Sequence, residues 1–178
     1  NENVTSIGSA PNFTGGLNGL RFDGDRGTDL QTTLDEPTLQ DYTLSYWVKP
    51  TEVTADNYNG HIFFGSSPQA WIGTNAGKWT TYNFASSGYQ DVSSPTPVKN
   101  EWQHILFNFI ASTKQFNLYI NGTTVSQYTL GSDSDFNFGT GQVIIGRTNT
   151  AAYALNGYLS EIYFVQGQAL YSGSFATT

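Results

Sequence analysis

Tyr42-Thr43-Leu44-Ser45-Tyr46-Trp47-Val48-Lys49-Pro50 is the stretch that decides the fold. From Tyr42 to Tyr46 large apolar side chains alternate with small hydroxyls, and period two puts one face against a core and the other toward water. The run closes on three large residues, Tyr46, Trp47 and Val48, and Pro50 ends the ladder because it has no N–H to give. The stretch reads as a central strand. Strand-length runs rich in aromatic and branched residues lie on either side: His61 to Phe64, Ala70 to Ile72, Trp79 to Phe84, Glu101 to Ile110, Gln115 to Ile120, Gln142 to Ile145 and Leu159 to Val165. Gly, Asn, Asp, Ser and Pro clusters separate them, and no long window carries a 3.6-residue apolar stripe. Asn121-Gly122 predicts a type I′ hairpin turn joining Phe116–Ile120 to Thr123–Tyr128, since this pair tolerates two positive φ angles. Many short strands without helices predict an all-β, two-sheet antiparallel β-sandwich of jelly-roll type. No internal repeat or linker divides the chain, so one domain is expected over residues 1–178.

Composition narrows the function. Charged residues make up 12% of the chain and the net charge is −7, against about 25% charged residues in ordinary soluble domains. Hydroxyls, amides and glycines replace the ionic coat. Twelve Phe, eleven Tyr and four Trp supply a core, which excludes a disordered chain. The acidic balance and the lack of any Lys/Arg run exclude binding to a phosphate backbone, so no nucleic-acid partner is expected. No stretch approaches the ~20 continuous apolar residues of a membrane helix, and the first 30 residues carry no export signal. Membrane insertion is not expected. Cysteine is absent, which removes disulfides, thiol catalysis and thiolate metal sites. Methionine is absent too, and we expect the chain to be a piece of a longer polypeptide.

Four segments in fixed order resemble the laminin G-like, or concanavalin A-like lectin/glucanase, jelly-roll superfamily. They are Gly19-Leu20-Arg21-Phe22-Asp23-Gly24; Tyr42 to Pro50, similar to F-T-I/L-S-x-W-V-K-P; Glu101-Trp102-Gln103-His104-Ile105 with Leu118-Tyr119-Ile120-Asn121-Gly122; and Ile144-Ile145-Gly146 with Leu155 to Phe164. The segment Asn156 to Leu170 is similar to an ending found in phage virion proteins, tail-fibre and capsid-associated proteins among them. The resemblance implies a location on a virion surface or outside the cell.

The superfamily includes both binders and glycan-cleaving enzymes, so the residues must choose. Its retaining glucanases carry Glu-x-Asp-x-x-Glu on one strand face, matching the roughly 5 Å carboxylate spacing that mechanism requires. No such run exists: Glu2, Glu36, Glu52, Glu101 and Glu161 are scattered, and none has Asp two residues on. His104 is expected to be a packed histidine rather than a catalytic base. The chain is therefore expected not to be an enzyme. Sugar recognition needs aromatic faces for C–H surfaces beside amides and carboxylates for hydroxyls. Trp71, Asn75, Trp79, Tyr82, Asn83, Tyr89 and Asp91 supply that mixture, although aromatic rings at these places would equally fill the space between sheets.

For calcium, which oxygen-rich loops hold, the resemblance implies a site at Asp23 and Asp25 with Glu161 on the last strand, where Ser160 takes the family's acidic position. Asp133-Ser134-Asp135-Phe136-Asn137 is a second acidic loop, but solvated turn residues explain both loops as well. The three Asn-x-Ser/Thr sequons, at Asn3, Asn12 and Asn121, match chance for this composition. Attachment to a host-surface glycan ranks first. Assembly with a neighbouring virion protein, including a homo-oligomer, ranks second, and polysaccharide degradation third.

Overall fold

The computed structural model describes residues 5–9, 18–25, 28–34, 40–53, 58–65, 69–82, 88–130, 141–150 and 152–177. Thirteen strands run in chain order: β1 Thr5–Ser9, β2 Asn18–Asp23, β3 Leu30–Leu34, β4 Tyr42–Pro50, β5 Asn59–Phe64, β6 Ala70–Asn75, β7 Lys78–Tyr82, β8 Tyr89–Val92, β9 Gln103–Ile110, β10 Gln115–Ile120, β11 Thr123–Thr129, β12 Gly141–Ile145 and β13 Asn156–Gln166. They form a seven-stranded sheet in the order β1-β2-β13-β4-β9-β10-β11 and a six-stranded sheet in the order β3-β12-β5-β6-β7-β8. Every pairing between these strands is antiparallel. Among the described residues there is no helix. This is the β-sandwich the sequence predicts.

Alternation explains how the two layers meet. Tyr42, Leu44, Tyr46 and Val48 of β4 point inward, as do Ile105, Phe107 and Phe109 of β9 and Phe116, Leu118 and Ile120 of β10. Ile62, Phe64, Ala70, Ile72, Trp79, Val92 and Val143 answer them from the six-stranded sheet. Each Val, Leu, Ile or Phe among them contributes about 1.5–3 kcal/mol when fully buried. Register shifts on β5 and β13 break the alternation. His61 is the extra residue between the Gly60↔Gly73 and Ile62↔Ile72 pairs; it is fully buried and its Nδ1 lies 3.1 Å from the Tyr46 hydroxyl. On β13 the register shifts between Ser160↔Trp47 and Tyr163↔Ser45, with Glu161 at φ 49°.

Asn121 and Gly122 have φ 49° and 77°, the two positive angles of the expected hairpin turn. A Cβ on Gly122 would stand 1.9 Å from the Phe175 carbonyl oxygen, because the C-terminal segment 167–177 docks here. That segment crosses the outer face of the seven-stranded sheet. Thr43 Oγ1 donates to the Gln168 carbonyl and accepts from the Leu170 N–H, and Phe175 N–H donates to the Gly122 carbonyl at 2.8 Å. Asn108 Nδ2 donates to the Tyr171 carbonyl, and the Phe175 ring packs edge-on against His104.

Candidate functional site

On the other outer face, that of the six-stranded sheet, the register aligns one residue from every strand. Gln31 opposes Ile144, Ile144 opposes Phe63, Phe63 opposes Trp71, Trp71 opposes Tyr82, and Tyr82 opposes Tyr89. Directly opposed side chains in an antiparallel sheet lie within contact distance, so the pairing alone makes this row a continuous cluster. Phe63, Trp71 and Ile144 are buried there, away from the inter-sheet core, with Tyr58 and Tyr82 packed against them. Rings surround Trp71: Tyr82 stacks at 6.1 Å, and Tyr58 and Tyr89 stand edge-on at 6.2 and 6.0 Å. Tyr58 also stacks on Tyr89 at 5.3 Å and touches Tyr153 at 4.7 Å.

Exposure rises along the row toward the sheet edge. Trp71 is 5% exposed and Tyr89, on edge strand β8, 46%. Tyr89 is therefore the ring of this row most open to solvent, while Trp71 supports the rings around it.

The neighbouring row on this face reads Gly60, Gly73, Thr80 and Asp91. Arg147, Thr148 and Tyr153 lie against its glycine end, where Gly60 N–H donates to the Tyr153 carbonyl at 3.1 Å. At the other end Thr80 Oγ1, fully buried, donates to Asp91 Oδ1 at 2.6 Å, while Asp91 itself is exposed. Asn75 follows on β6, opposite Lys78. Burial, reinforced by the hydrogen bond to Tyr58 and by Tyr58, Tyr82 and Tyr153 nearby, holds the Tyr89 hydroxyl well above its ordinary range. It stays protonated at neutral pH and can both donate and accept.

Five of the seven residues expected to bind ligand, Trp71, Asn75, Tyr82, Tyr89 and Asp91, thus share one face. Trp79 does not. It is 1% exposed and points into the inter-sheet core, where its ring meets His61 edge-on at 6.0 Å. Its inclusion is corrected on simple parity, since residues three apart on a strand face opposite sides. Asn83 lies outside the described residues. Phe63, Tyr58 and Tyr153 join the cluster without having been expected.

The residues expected around calcium are not gathered into a cage. Asp23 accepts hydrogen bonds from the Thr28 hydroxyl and from the Asp25 N–H at 3.0 Å, in that order the main reasons its carboxyl is held below the ordinary range. Asp25 is exposed. Asp23 faces Asn156 on β13, so Glu161 sits five residues farther along, roughly 16 Å at 3.3 Å per residue. Asp29, nearer in sequence, pairs with Arg147 at 3.4 Å. Among the described residues no three His, Asp or Glu side chains are grouped to hold a metal ion. Asp23, Asp25 and Glu161 do not fit calcium as a set. The Asp133–Asn137 loop lies outside the described residues.

His104 acquires a partner that spacing could not reveal. Its Nε2 lies 2.8 Å from Ser45 Oγ, 59 positions away in the chain. The pair has the nucleophile and base of a hydrolase but not the orienting third group: Nδ1 is buried with no hydrogen-bond partner among the described residues, and Phe175 and Trp47 pack on the ring. Burial lowers the His104 pKa to about 4.

A laminin G family model described as the concanavalin A-like lectin/glucanases superfamily matches residues 22–170. The chain belongs to this superfamily. Among solved structures it is similar to a native heptameric SAP-like pentraxin from Limulus polyphemus, with 15% identity and TM-score 0.62 over 82% of this chain and 74% of that one. It is similar to domain 4 of AbnA, a GH43 extracellular arabinanase from Geobacillus stearothermophilus, in complex with arabinotriose, with 18% identity and TM-score 0.59 over 94% of this chain and 77% of that one. The binding domain of Paraclostridial Mosquitocidal Protein 1 is similar too, with 13% identity and TM-score 0.69; the match covers 96% of this chain but 44% of that domain. At these identities the likeness is one of fold. No match is found among curated protein sequences.

Proposed function

We propose that the chain is a non-enzymatic glycan-binding module that uses the outer face of the six-stranded sheet, and that it serves a phage at the virion surface, in a tail fibre, spike or capsid-associated protein. The observation that carries the binding half is the register-matched row from Phe63 to Tyr89, ending in an exposed tyrosine beside an exposed carboxylate. Stacked rings offer a rigid apolar surface to sugar C–H groups, and Asp91, Asn75 and the tyrosine hydroxyls offer partners to sugar hydroxyls. The arabinotriose complex of one structural neighbour and the binding role named for another support the reading by analogy of fold. The virion setting rests on the Asn156–Leu170 segment. A glycan array probed with the chain and with Tyr89→Ala tests it. Saccharide signals that the substitution removes are expected; signals unchanged in the variant would move the site elsewhere.

A specific observation favours assembly as the second reading. Tyr163, Leu170 and Tyr171 are 57%, 45% and 38% exposed on β13 and on the segment that crosses the seven-stranded sheet. Exposed apolar area of this kind suits contact with a second copy or a neighbouring virion protein. A stable oligomer in light scattering, combined with a blank array, would favour it over attachment.

A further inference from the structure

Tyr89 and Asp91 alternate on edge strand β8 and so project from the same face of the sheet. Neither is submerged, and Asp91 is fixed in place by a fully buried neighbour, with Oδ1 accepting from Thr80 Oγ1 at 2.6 Å. We infer that Asp91 makes this face selective for uncharged sugar ends carrying adjacent hydroxyls, and discriminates against uronates and other acidic sugars. The inference rests on the glycan-binding reading and adds the class of ligand.

An ionised carboxylate only accepts, at about four lone-pair positions. Thr80 occupies one, so the Asp91 side chain faces solvent with acceptor capacity to spare. Hydroxyl donors on neighbouring ring carbons satisfy such an acceptor two at a time, and bonds to a charged acceptor are about twice as strong as neutral ones. A second carboxylate brought to the same place donates nothing and repels, in the chain's overall field of −7. The positive group near this end of the face is Lys78, which opposes Asn75 one row beyond Thr80; Arg147, against the glycine end, is paired with Asp29. Tyr58, Tyr82 and Tyr89 add hydroxyls that donate as well as accept, so they tolerate neutral sugars of either hydroxyl geometry.

Isothermal titration of the chain with neutral gluco-, galacto- and arabino-oligosaccharides and with oligogalacturonate tests this at moderate salt. At least one neutral series is expected to bind ten or more times more tightly than the uronate. Asp91→Asn, with an unchanged melting temperature, is expected to weaken the neutral ligand at least fivefold and to narrow the gap to the uronate. Uronate bound as tightly as the neutral series, drawn by Lys78, would overturn the inference, as would an Asp91→Asn variant with unaltered affinities. Tyr89→Ala separates the two levels. If it abolishes binding while Asp91→Asn changes nothing, the site stands and the selectivity falls. If neither substitution matters, or if no sugar binds, the site reading falls and the selectivity with it.

Discussion

The two outer faces of the sandwich differ in what the chain itself does with them. On the seven-stranded sheet, segment 167–177 occupies the surface, and Thr43, Asn108, Tyr119 and Phe175 spend their polar and ring contacts on one another and on the segment's backbone. On the six-stranded sheet, a comparable set of rings ends in Tyr89, 46% exposed, beside Asp91. Aromatic content alone would not have separated the two. The face whose polar groups keep capacity for a ligand is the six-stranded one, and the proposed function rests on that capacity.

Acidification should produce the largest effect and should act on the covered face and the core together. Burial lowers His104 to about 4 and His61 to about 3, so below pH 6.5 the unfolded chain takes up protons that the folded chain refuses. Stability is therefore expected to fall as pH drops from about 6.5 toward 4, with a slope of up to about 1.4 kcal/mol per pH unit for each histidine. Urea denaturation across this range measures it, and His104→Gln should remove one share of the slope. A flat profile between pH 6.5 and 4.5 would contradict the burial described.

Gly122→Ala breaks the covered face selectively. It imposes φ 77° on a residue with a Cβ and drives that carbon into the Phe175 carbonyl, for an expected loss of about 3 kcal/mol. The His104 titration followed by NMR should then move back toward its ordinary value. An unchanged titration would show that the segment does not shield the ring.

Tyr89→Ala breaks the open face instead. A loss of tenfold or more in saccharide affinity is expected, about 1.4 kcal/mol, with denaturation stability altered by less than about 1 kcal/mol because the ring is half exposed. A stability loss as large as that of Gly122→Ala would make Tyr89 a structural residue and undo the contrast between the faces.

The smallest effect is a gain. Ala76 sits at φ 48° in the two-residue turn between β6 and β7, and Ala76→Gly should stabilise the chain by about 1 kcal/mol by relieving a left-handed alanine. Saccharide affinity should not move. A lowered melting temperature would refute that account of the turn.

Much of the fold was legible in the sequence because its signals are local. The alternation in Tyr42–Tyr46 and the Asn121-Gly122 pair each report their own geometry. The candidate site was legible only in part. Trp79 and Tyr82 cannot share a face if their strand is regular, a parity that composition-based selection overlooks. Phe63 and His61 were harder, because the bulge at His61 turns two successive residues inward and shifts the parity of what precedes it. The Ser45–His104 contact depends on the pairing of β4 with β9, and the path of segment 167–177 has no periodicity to betray it. Register and docking are decided by tertiary packing, not by the residues nearby in the chain.

Because the row on the open face takes one side chain from each strand, no excised hairpin would carry more than two of its rings. The proposed saccharide recognition is thereby tied to cooperative folding. A saccharide-induced signal should vanish in one step at the denaturant midpoint of the whole sheet, and clipped fragments should be blind to the sugar even where they retain both Tyr89 and Asp91.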